Sequence, residues 1–209
     1  MQYSQTVLDH FMHPHNVGKL DNADAEATEG SPACGDQVTM FLKVNPETKV
    51  IEDIKFLSYG CASNIATASI ITDLAKGKTL DEAKQITWQQ AMEELGGLPP
   101  IKVHCAVLAV DTLQSAISNY EIAHGLKEVP NFGKDTIIEE LKKIIYPKVG
   151  EDIINLKMVK YVGYNDGEVI IDLNMMSFDQ WRDNIAEEIR EHLSKYPEVK
   201  NIQINFPDS

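Results

Sequence analysis

The chain has 209 residues, 43% of them hydrophobic and 24% charged, an ordinary composition for one large or two small folded domains. Its net charge of −13 disfavours nucleic acid and anionic membranes as partners, because binding to either usually requires a basic patch. No apolar run approaches the roughly 20 residues that span a bilayer, and the first residues lack a basic or apolar signal region, so we expect a cytoplasmic protein.

The first part of the chain alternates strand and helix signals. Residues 16–32 are rich in Gly, Asn, Asp and Ala and predict an exposed loop. The other elements predicted here are helices over 2–13, 64–76 and 103–124, strands over 38–44 and 51–57, and a short helix that starts at Thr79 with the pattern of a capping box. These elements favour an α+β fold, in which a sheet carries helices on one face.

The second part repeats this mixture after a break. Residues 126–134 lack periodicity and contain Pro and Gly, which predicts a linker between a domain of residues 1–125 and another of residues 135–209. The elements predicted after the linker are a helix over 135–145, strands over 154–163 and 168–175, a helix over 178–194 and a strand over 199–206. Asp166-Gly167 indicates a hairpin turn between the first two strands. The second domain is therefore predicted to be a small α-β-β-α-β unit.

Three cysteines carry the chemistry that the sequence suggests. They are Cys34, Cys61 and Cys105, and an odd number without a secretory signal argues against disulfides. Thiolates bind zinc, copper(I) and iron–sulfur clusters. Cys61 and Cys105 fall at predicted helix starts, where the helix dipole lowers the pKa of a thiol. Asp36 and His104 add an oxygen and a nitrogen donor next to them, which favours one shared metal–sulfur site over three buried structural cysteines.

Four segments of the first domain resemble the IscU/NifU-type iron–sulfur scaffold family. They are Ser4…Val7-Leu8-Asp9-His10-Phe11…Pro14-His15-Asn16-Val17-Gly18, Ala33-Cys34-Gly35-Asp36, Tyr59-Gly60-Cys61-Ala62-Ser63 and Leu98-Pro99-Pro100-Ile101-Lys102-Val103-His104-Cys105. The resemblance covers residues 1 to about 125 and implies an IscU-like antiparallel sheet packed with helices. The presence of His104, and the lack of a long insertion between Cys61 and Cys105, favour the IscU branch over the SufU branch.

The resemblance implies a protein that is not an enzyme but a scaffold on which a 2Fe–2S cluster is assembled and from which it passes to acceptor apoproteins. Cys34, Cys61 and Cys105 would be the thiolate ligands, completed by His104 or Asp36. Cys105 would accept persulfide sulfur from a cysteine desulfurase partner. Asp36, as a weak oxygen ligand, would keep the cluster labile. A homodimer is a further expectation.

The segment Leu98-Pro99-Pro100-Ile101-Lys102 resembles the sequence that such scaffolds present to a chaperone of the HscA/DnaK type. Two prolines favour an extended, accessible conformation that suits a peptide-binding groove. Alternatively, Pro99 and Pro100 only end one helix and orient the next.

The second domain contains no cysteine and resembles the small SufT/PaaD-type domain of iron–sulfur assembly proteins. It departs from that family in two places, at Tyr146-Pro147-Lys148, where Asp-Pro-Glu is usual, and at Met175-Met176-Ser177-Phe178, where a Thr-rich loop is usual. We therefore expect a docking or target-selection module without ligand chemistry of its own. A stabilising appendage or a dimerisation surface is the alternative.

Other functions and sites also fit parts of the pattern. A zinc-binding protein that receives persulfide from a desulfurase would use the same donors, because zinc accepts S, N and O ligands tetrahedrally. A cysteine hydrolase is disfavoured, because adjacent helical residues point about 100° apart and His104 would then reach Cys105 poorly. A zinc site of His10, His13 and His15 is disfavoured as well, because Pro14 breaks their helical spacing.

Overall fold

The computed structural model describes residues 3–31, 35–128 and 131–207. The chain divides into two compact units, Met1–Val129 and Pro130–Ser209. Cys34, one of the predicted ligands, lies outside the described residues. Among the described residues, no helix is long and apolar enough to cross a membrane.

The first unit is a three-stranded antiparallel sheet packed with helices, as predicted. Its elements are α1 (Gln5–Met12), β1 (Ala25–Ser31), β2 (Asp36–Val44), β3 (Ile51–Tyr59), α2 (Ala62–Ala75), α3 (Leu80–Ala83), α4 (Trp88–Glu94), a 3-10 turn (Pro100–Lys102) and α5 (Val103–Ala123). The strand order is β1-β2-β3, and both pairings are antiparallel. Helix α5 contacts β1 and β2, and α2 contacts both β3 and α5. The two long helices therefore pack side by side on the sheet.

Apolar periodicity explains this packing. Every second residue of β2 from Val38 to Val44 is buried, so one face of the strand points into the core. Helix α5 buries Ala109, Leu113 and Ile117 at helical spacing on the same core. Each large aliphatic side chain that is fully buried in this way stabilises the fold by about 1.5–3 kcal/mol. The core thereby fixes the ends of β2, α2 and α5.

The predicted exposed loop over residues 16–32 is wrong in its second half, where β1 pairs with β2 along its whole length. Strand β1 contains few of the residues typical of strands, and its pairing with β2 stabilises it. Ala27 faces the core, and the hydroxyls of Thr28 and Thr39 form a cross-strand hydrogen bond of 2.8 Å.

Helix α4 was not predicted either, although Thr87 caps it by accepting a hydrogen bond from the Gln90 backbone amide.

Local hydrogen bonds confirm the predicted capping box and form the β2–β3 turn. Thr79 and Glu82 form the predicted capping box, with the Thr79 hydroxyl and the Glu82 carboxylate each accepting from the other's backbone amide. At the β2–β3 turn, the Asn45 side-chain oxygen accepts hydrogen bonds from the amides of Glu47 and Thr48.

The second unit contains the predicted α-β-β-α-β order with one added hairpin. Its elements are α6 (Lys134–Leu141), β4 (Ile145–Tyr146), β5 (Glu151–Asp152), β6 (Val159–Asn165), β7 (Glu168–Leu173), α7 (Arg182–Ser194) and β8 (Asn201–Asn205). The sheet order is β6-β7-β8, with β6 antiparallel and β8 parallel to β7. The short pair β4–β5 precedes this sheet.

Three predicted boundaries in the second unit are wrong. Helix α6 ends at Leu141 and not at residue 145, since the chain enters β4. Strand β6 starts at Val159, because the Asp152 carboxylate accepts hydrogen bonds from the amides of Ile154 and Asn155 and turns the chain there. Helix α7 starts at Arg182, after a turn in which Asp179 accepts from the Trp181 amide. Side chains that bind the nearby backbone shift the starts of β6 and α7.

A buried carboxylate joins the two helices of the second unit. Glu140 of α6 accepts hydrogen bonds from the Tyr196 hydroxyl at 2.7 Å and from His192 Nδ1 at 3.2 Å. The ammonium groups of Lys143 and Lys195 lie 3.1 and 3.0 Å from its oxygens. Burial alone would raise the pKa of Glu140, but His192, Lys143, Lys195 and Tyr196 outweigh it and lower this pKa well below its ordinary range.

We predict that Glu140→Gln destabilises the second unit by about 1–3 kcal/mol at neutral pH, since the amide satisfies fewer of these charged donors. Because the folded-state pKa of Glu140 is depressed, its contribution is present above the unfolded value of about 4.3 and declines as the pH falls below it. The measurement is urea unfolding at pH 7 and pH 3 in a Trp88→Phe background, where the fluorescence comes from Trp181.

Glu139→Gln is the matched control, because Glu139 pairs with Lys142 on an exposed surface. It should change the free energy of unfolding by less than about 0.5 kcal/mol. Equal destabilisation by the two variants, or a Glu140→Gln effect that does not shrink in acid, would contradict the assignment.

Candidate metal–sulfur site

Four of the predicted ligands converge where β2 begins and where α2 and α5 begin. Asp36 is the first residue of β2, Cys61 caps α2, and His104 and Cys105 lie in the first turn of α5. The Asp36 carboxylate is only 4% exposed, and Cys105 is fully buried. The predicted ligand Cys34 lies outside the described residues, so its prediction stays untested.

The donor atoms lie close to one another. Asp36 Oδ2 lies 3.5 Å from Cys105 Sγ, 3.8 Å from Cys61 Sγ and 3.6 Å from His104 Nε2. The two sulfurs are 3.7 Å apart, and His104 Nε2 lies 3.4 Å from Cys105 Sγ. Ligand atoms around a tetrahedral ion with metal–sulfur bonds of about 2.3 Å are separated by roughly 3.3–3.8 Å. The residues therefore fit a metal–sulfur group.

Gly60 and Asn64 allow this approach. A Cβ at Gly60 would lie 2.3 Å from Asp36 Oδ1, so a larger residue there would collide with the carboxylate. With Gly60 in place, Asp36 Oδ1 accepts a hydrogen bond from the Cys61 backbone amide at 3.1 Å. The Asn64 amide group donates to the Ser58 hydroxyl at 3.0 Å and joins the start of α2 to β3. Sequence reasoning did not identify Asn64, although its place one turn into α2 was a signal.

The two described cysteines ionise differently, contrary to the prediction that both helix starts lower the thiol pKa. A hydrogen bond from Cys105 lowers the pKa of Cys61 to about 5, helped by the Asn64 backbone amide and Lys102. The hydrogen bond to the Cys61 sulfur, together with burial, raises the pKa of Cys105 far above its ordinary value. One proton is thus shared by two sulfurs, and the more exposed Cys61 carries the negative charge.

The carboxylate is held ionised in the same place. Burial alone would raise the pKa of Asp36, but hydrogen bonds from His104, the Cys61 amide and the Cys105 thiol lower it below its ordinary range. The argument that His104 reaches Cys105 poorly is wrong, since their side-chain atoms are 3.4 Å apart. The His104 imidazole extends far enough for its Nε2 to reach the sulfur of the adjacent Cys105.

Lys102 also lies at the site, although the sequence pattern assigned this residue only to the chaperone segment. Its ammonium lies 3.6 Å from Cys61 Sγ, and the Cys61–Cys105 sulfur pair, which carries one negative charge, raises the pKa of Lys102 against the opposing effect of burial. Lys102 lies three residues before Cys105, and this helical spacing could have indicated that Lys102 belongs to the site. The expectation that the segment is extended holds at Pro99, whereas Pro100–Lys102 form a 3-10 turn that leads into α5. Leu98 is buried, and Ile101 is 40% exposed.

In the second unit, the two segments that depart from the SufT/PaaD pattern meet. The Tyr146 hydroxyl donates a 2.8 Å hydrogen bond to Asp179 Oδ2. Tyr146, Lys148, Phe178 and Trp181 border a cavity of about 350 Å³, with Phe178 85% exposed at its edge. Tyr146 and Phe178 thus lie at the positions where Asp-Pro-Glu and a Thr-rich loop are usual in the SufT/PaaD family.

Comparison with known proteins identifies the family. Residues 2–127 match the family model described as the NifU-like N terminal domain. The chain belongs to this family. Residues 134–205 match a second family model, described as an iron-sulfur cluster assembly protein. Both resemblances inferred from the sequence motifs are thereby confirmed.

Curated relatives carry one name. The chain is 45% identical over 139 residues to a protein of Aquifex aeolicus, covering 66% of this chain and 88% of the relative. It is 46% identical over 142 residues to a protein of Archaeoglobus fulgidus, covering 68% and 92%. It is 47% identical over 124 residues to a protein of Escherichia coli, covering 58% and 95%. All three are named iron-sulfur cluster assembly scaffold protein IscU.

We predict that iodoacetamide at pH 7 and low dose alkylates Cys61 at least about tenfold faster than Cys105, because the thiolate is the nucleophile. The rate at Cys61 should follow an apparent pKa of about 5, compared with the ordinary 9.0. Peptide mapping by mass spectrometry measures both rates. In urea-unfolded protein, the control, the two cysteines should react alike. Faster alkylation of Cys105 in the folded protein would overturn the assignment of the charge to Cys61.

Proposed function

We propose that this chain is a non-catalytic scaffold for the assembly of an iron–sulfur cluster. The observation that carries the proposal is the convergence of two sulfurs, an imidazole nitrogen and a buried carboxylate oxygen within 3.8 Å contacts. Thiolate donors suit iron–sulfur clusters as well as zinc and copper(I). The shared name of the relatives supports the same function.

The cluster is the cargo, and we infer that it is of the 2Fe–2S type. Its ligands in this proposal are Cys34, Cys61 and Cys105, completed by Asp36 or His104, with iron and desulfurase-derived sulfur as the starting materials. The mixed donor set suits a cargo that has to leave again. Asp36 offers a hard oxygen to a group that prefers sulfur, so its bond is exchanged more easily than a thiolate's. Acceptor apoproteins with full thiolate sites then receive the cluster.

Sulfur arrives on Cys105 in this proposal. The Cys105 thiolate attacks the terminal sulfur of the desulfurase persulfide, a new S–S bond forms, and the desulfurase thiolate leaves. The proton of Cys105 passes along its 3.5 Å hydrogen bond to Asp36 Oδ2, because His104 Nε2 already donates to this carboxylate. The nearby Cys61 thiolate opposes this ionisation, so iron bound to Cys61 should precede sulfur transfer.

Two further partners follow from the rest of the chain. Leu98–Lys102 is proposed as a chaperone-binding segment, and Lys102 connects it to the site through the contact with Cys61. The second unit is proposed as a docking module for acceptors, with exposed Phe178 and the neighbouring cavity as the contact surface. Its match to an iron–sulfur assembly family supports a role in the same process.

The test is anaerobic incubation of the full chain with ferrous iron, cysteine and a cysteine desulfurase. Visible absorption should develop charge-transfer bands, with iron and acid-labile sulfide in about equal amounts. Cys61→Ser and Cys105→Ser should abolish the bands, and His104→Ala should reduce cluster yield. His124→Ala is the matched control, because His124 bonds to the Tyr120 carbonyl at the other end of α5.

Tightly bound zinc, persulfide on Cys105 and no labile sulfide would instead establish the zinc-binding sulfur carrier. That alternative is favoured next, because the ligand atoms of Asp36, His104 and Cys105 lie within 4.8 Å of one another and could hold one zinc ion. Equal cluster yields from wild-type and Cys61→Ser protein would reject the scaffold site itself.

A further inference from the structure

A second group of metal donors lies between α1 and α2, away from the cysteines. His10 of α1, His15 just after it and Asp73 of α2 each place a ligand atom within 4.8 Å of the other two. The imidazole rings of His10 and His15 have centroids 4.8 Å apart. His13, the third histidine of this segment, is exposed and does not belong to the group.

Hydrogen bonds hold the two histidines in position. The Ser69 hydroxyl accepts a 2.8 Å hydrogen bond from the His15 backbone amide and forms another of 2.8 Å with His10 Nδ1. With His10 Nδ1 engaged in this way, its Nε2 is the atom available to an ion. His10 is buried.

The carboxylate is oriented from both sides. Asp73 Oδ1 accepts a 2.9 Å hydrogen bond from the Asn16 side-chain amide, and Oδ2 lies 2.6 Å from His15 Nδ1. The side chains of His15 and Asp73 are 58% and 34% exposed, which leaves an entry path and room to close on an ion. An ion held by all three residues replaces the His15–Asp73 hydrogen bond, because donors around one ion lie about 3–4 Å apart.

We propose that His10, His15 and Asp73 form a second metal site, which binds a divalent cation of the Fe²⁺, Co²⁺ and Zn²⁺ class. Two imidazoles and one carboxylate are the donors that these cations prefer, whereas Mg²⁺ and Ca²⁺ require mostly oxygen. Three protein ligands leave coordination positions for water, so the ion is exchangeable.

This site is separate from the metal–sulfur site. Both lie on α2, with Cys61 at its N-terminal cap and Asp73 near its C-terminal end. At 1.5 Å per residue, Ser69 and Asp73 lie about 12–18 Å along the helix from Cys61. The two sites can therefore be filled and tested independently, and the proposal does not depend on the proposed scaffold function.

The test is a Zn²⁺ titration of the full, reduced, metal-free chain with uniform ¹⁵N labelling. Long-range ¹H–¹⁵N correlation spectra separate the side-chain signals of the six histidines. We expect the first equivalent to shift His104 and the second to shift the ring nitrogens of His10 and His15. His15→Ala and Asp73→Asn should each weaken binding of the second equivalent by at least about tenfold.

His13→Ala is the matched control and should bind the second equivalent like the wild type, because His13 is exposed and outside the group. Cys61→Ser should change the first equivalent and leave the shifts of His10 and His15 intact. Uniform weak shifts of all exposed histidines, or equal zinc binding by His15→Ala and His13→Ala protein, would overturn the proposal. Circular dichroism verifies that each variant is folded.

Discussion

The buried Asp36 carboxylate is the interaction on which the metal–sulfur site depends. An unpaired charge at this depth would cost several kcal/mol, so its partners are obligatory. The Cys61 amide, the Cys105 thiol and His104 provide the hydrogen bonds that keep it ionised. These partners lie at the starts of α2 and α5, whereas Asp36 starts β2, so one carboxylate holds three element ends together.

The same arrangement makes binding reversible in chemical terms. Two sulfurs attract soft metal, while the oxygen ligand binds it weakly. In the metal-free protein, Cys61 and Cys105 share one proton, and Lys102 balances the charge that remains. A bound metal therefore replaces the proton shared by Cys61 and Cys105 and the contact of the Lys102 ammonium with Cys61. When the metal leaves, the proton and the ammonium contact return.

The sequence predicted the strongly periodic elements and pointed to the four donor residues that converge, because apolar spacing and motif residues are local signals. Strand β1 escaped prediction because its pairing with β2, and not its own composition, makes it a strand. The late start of β6 depends on one Asp152 side chain that turns the backbone. The unequal ionisation of Cys61 and Cys105 was not predictable, since it arises from their mutual contact and different burial.

The measurement that tests this account most directly is the rate of cluster transfer from the loaded chain to an apo-ferredoxin. If Asp36 is a weak ligand that permits release, Asp36→Ala and Asp36→Asn should both slow transfer by about tenfold. Asp24→Asn, a carboxylate paired with Lys43 in the same unit, should transfer at the wild-type rate. Unchanged transfer by both Asp36 variants would contradict the account. If only Asp36→Ala slowed transfer, the role of Asp36 would be to accept the hydrogen bond from the Cys61 amide, which Asn can also accept, and not to act as a ligand.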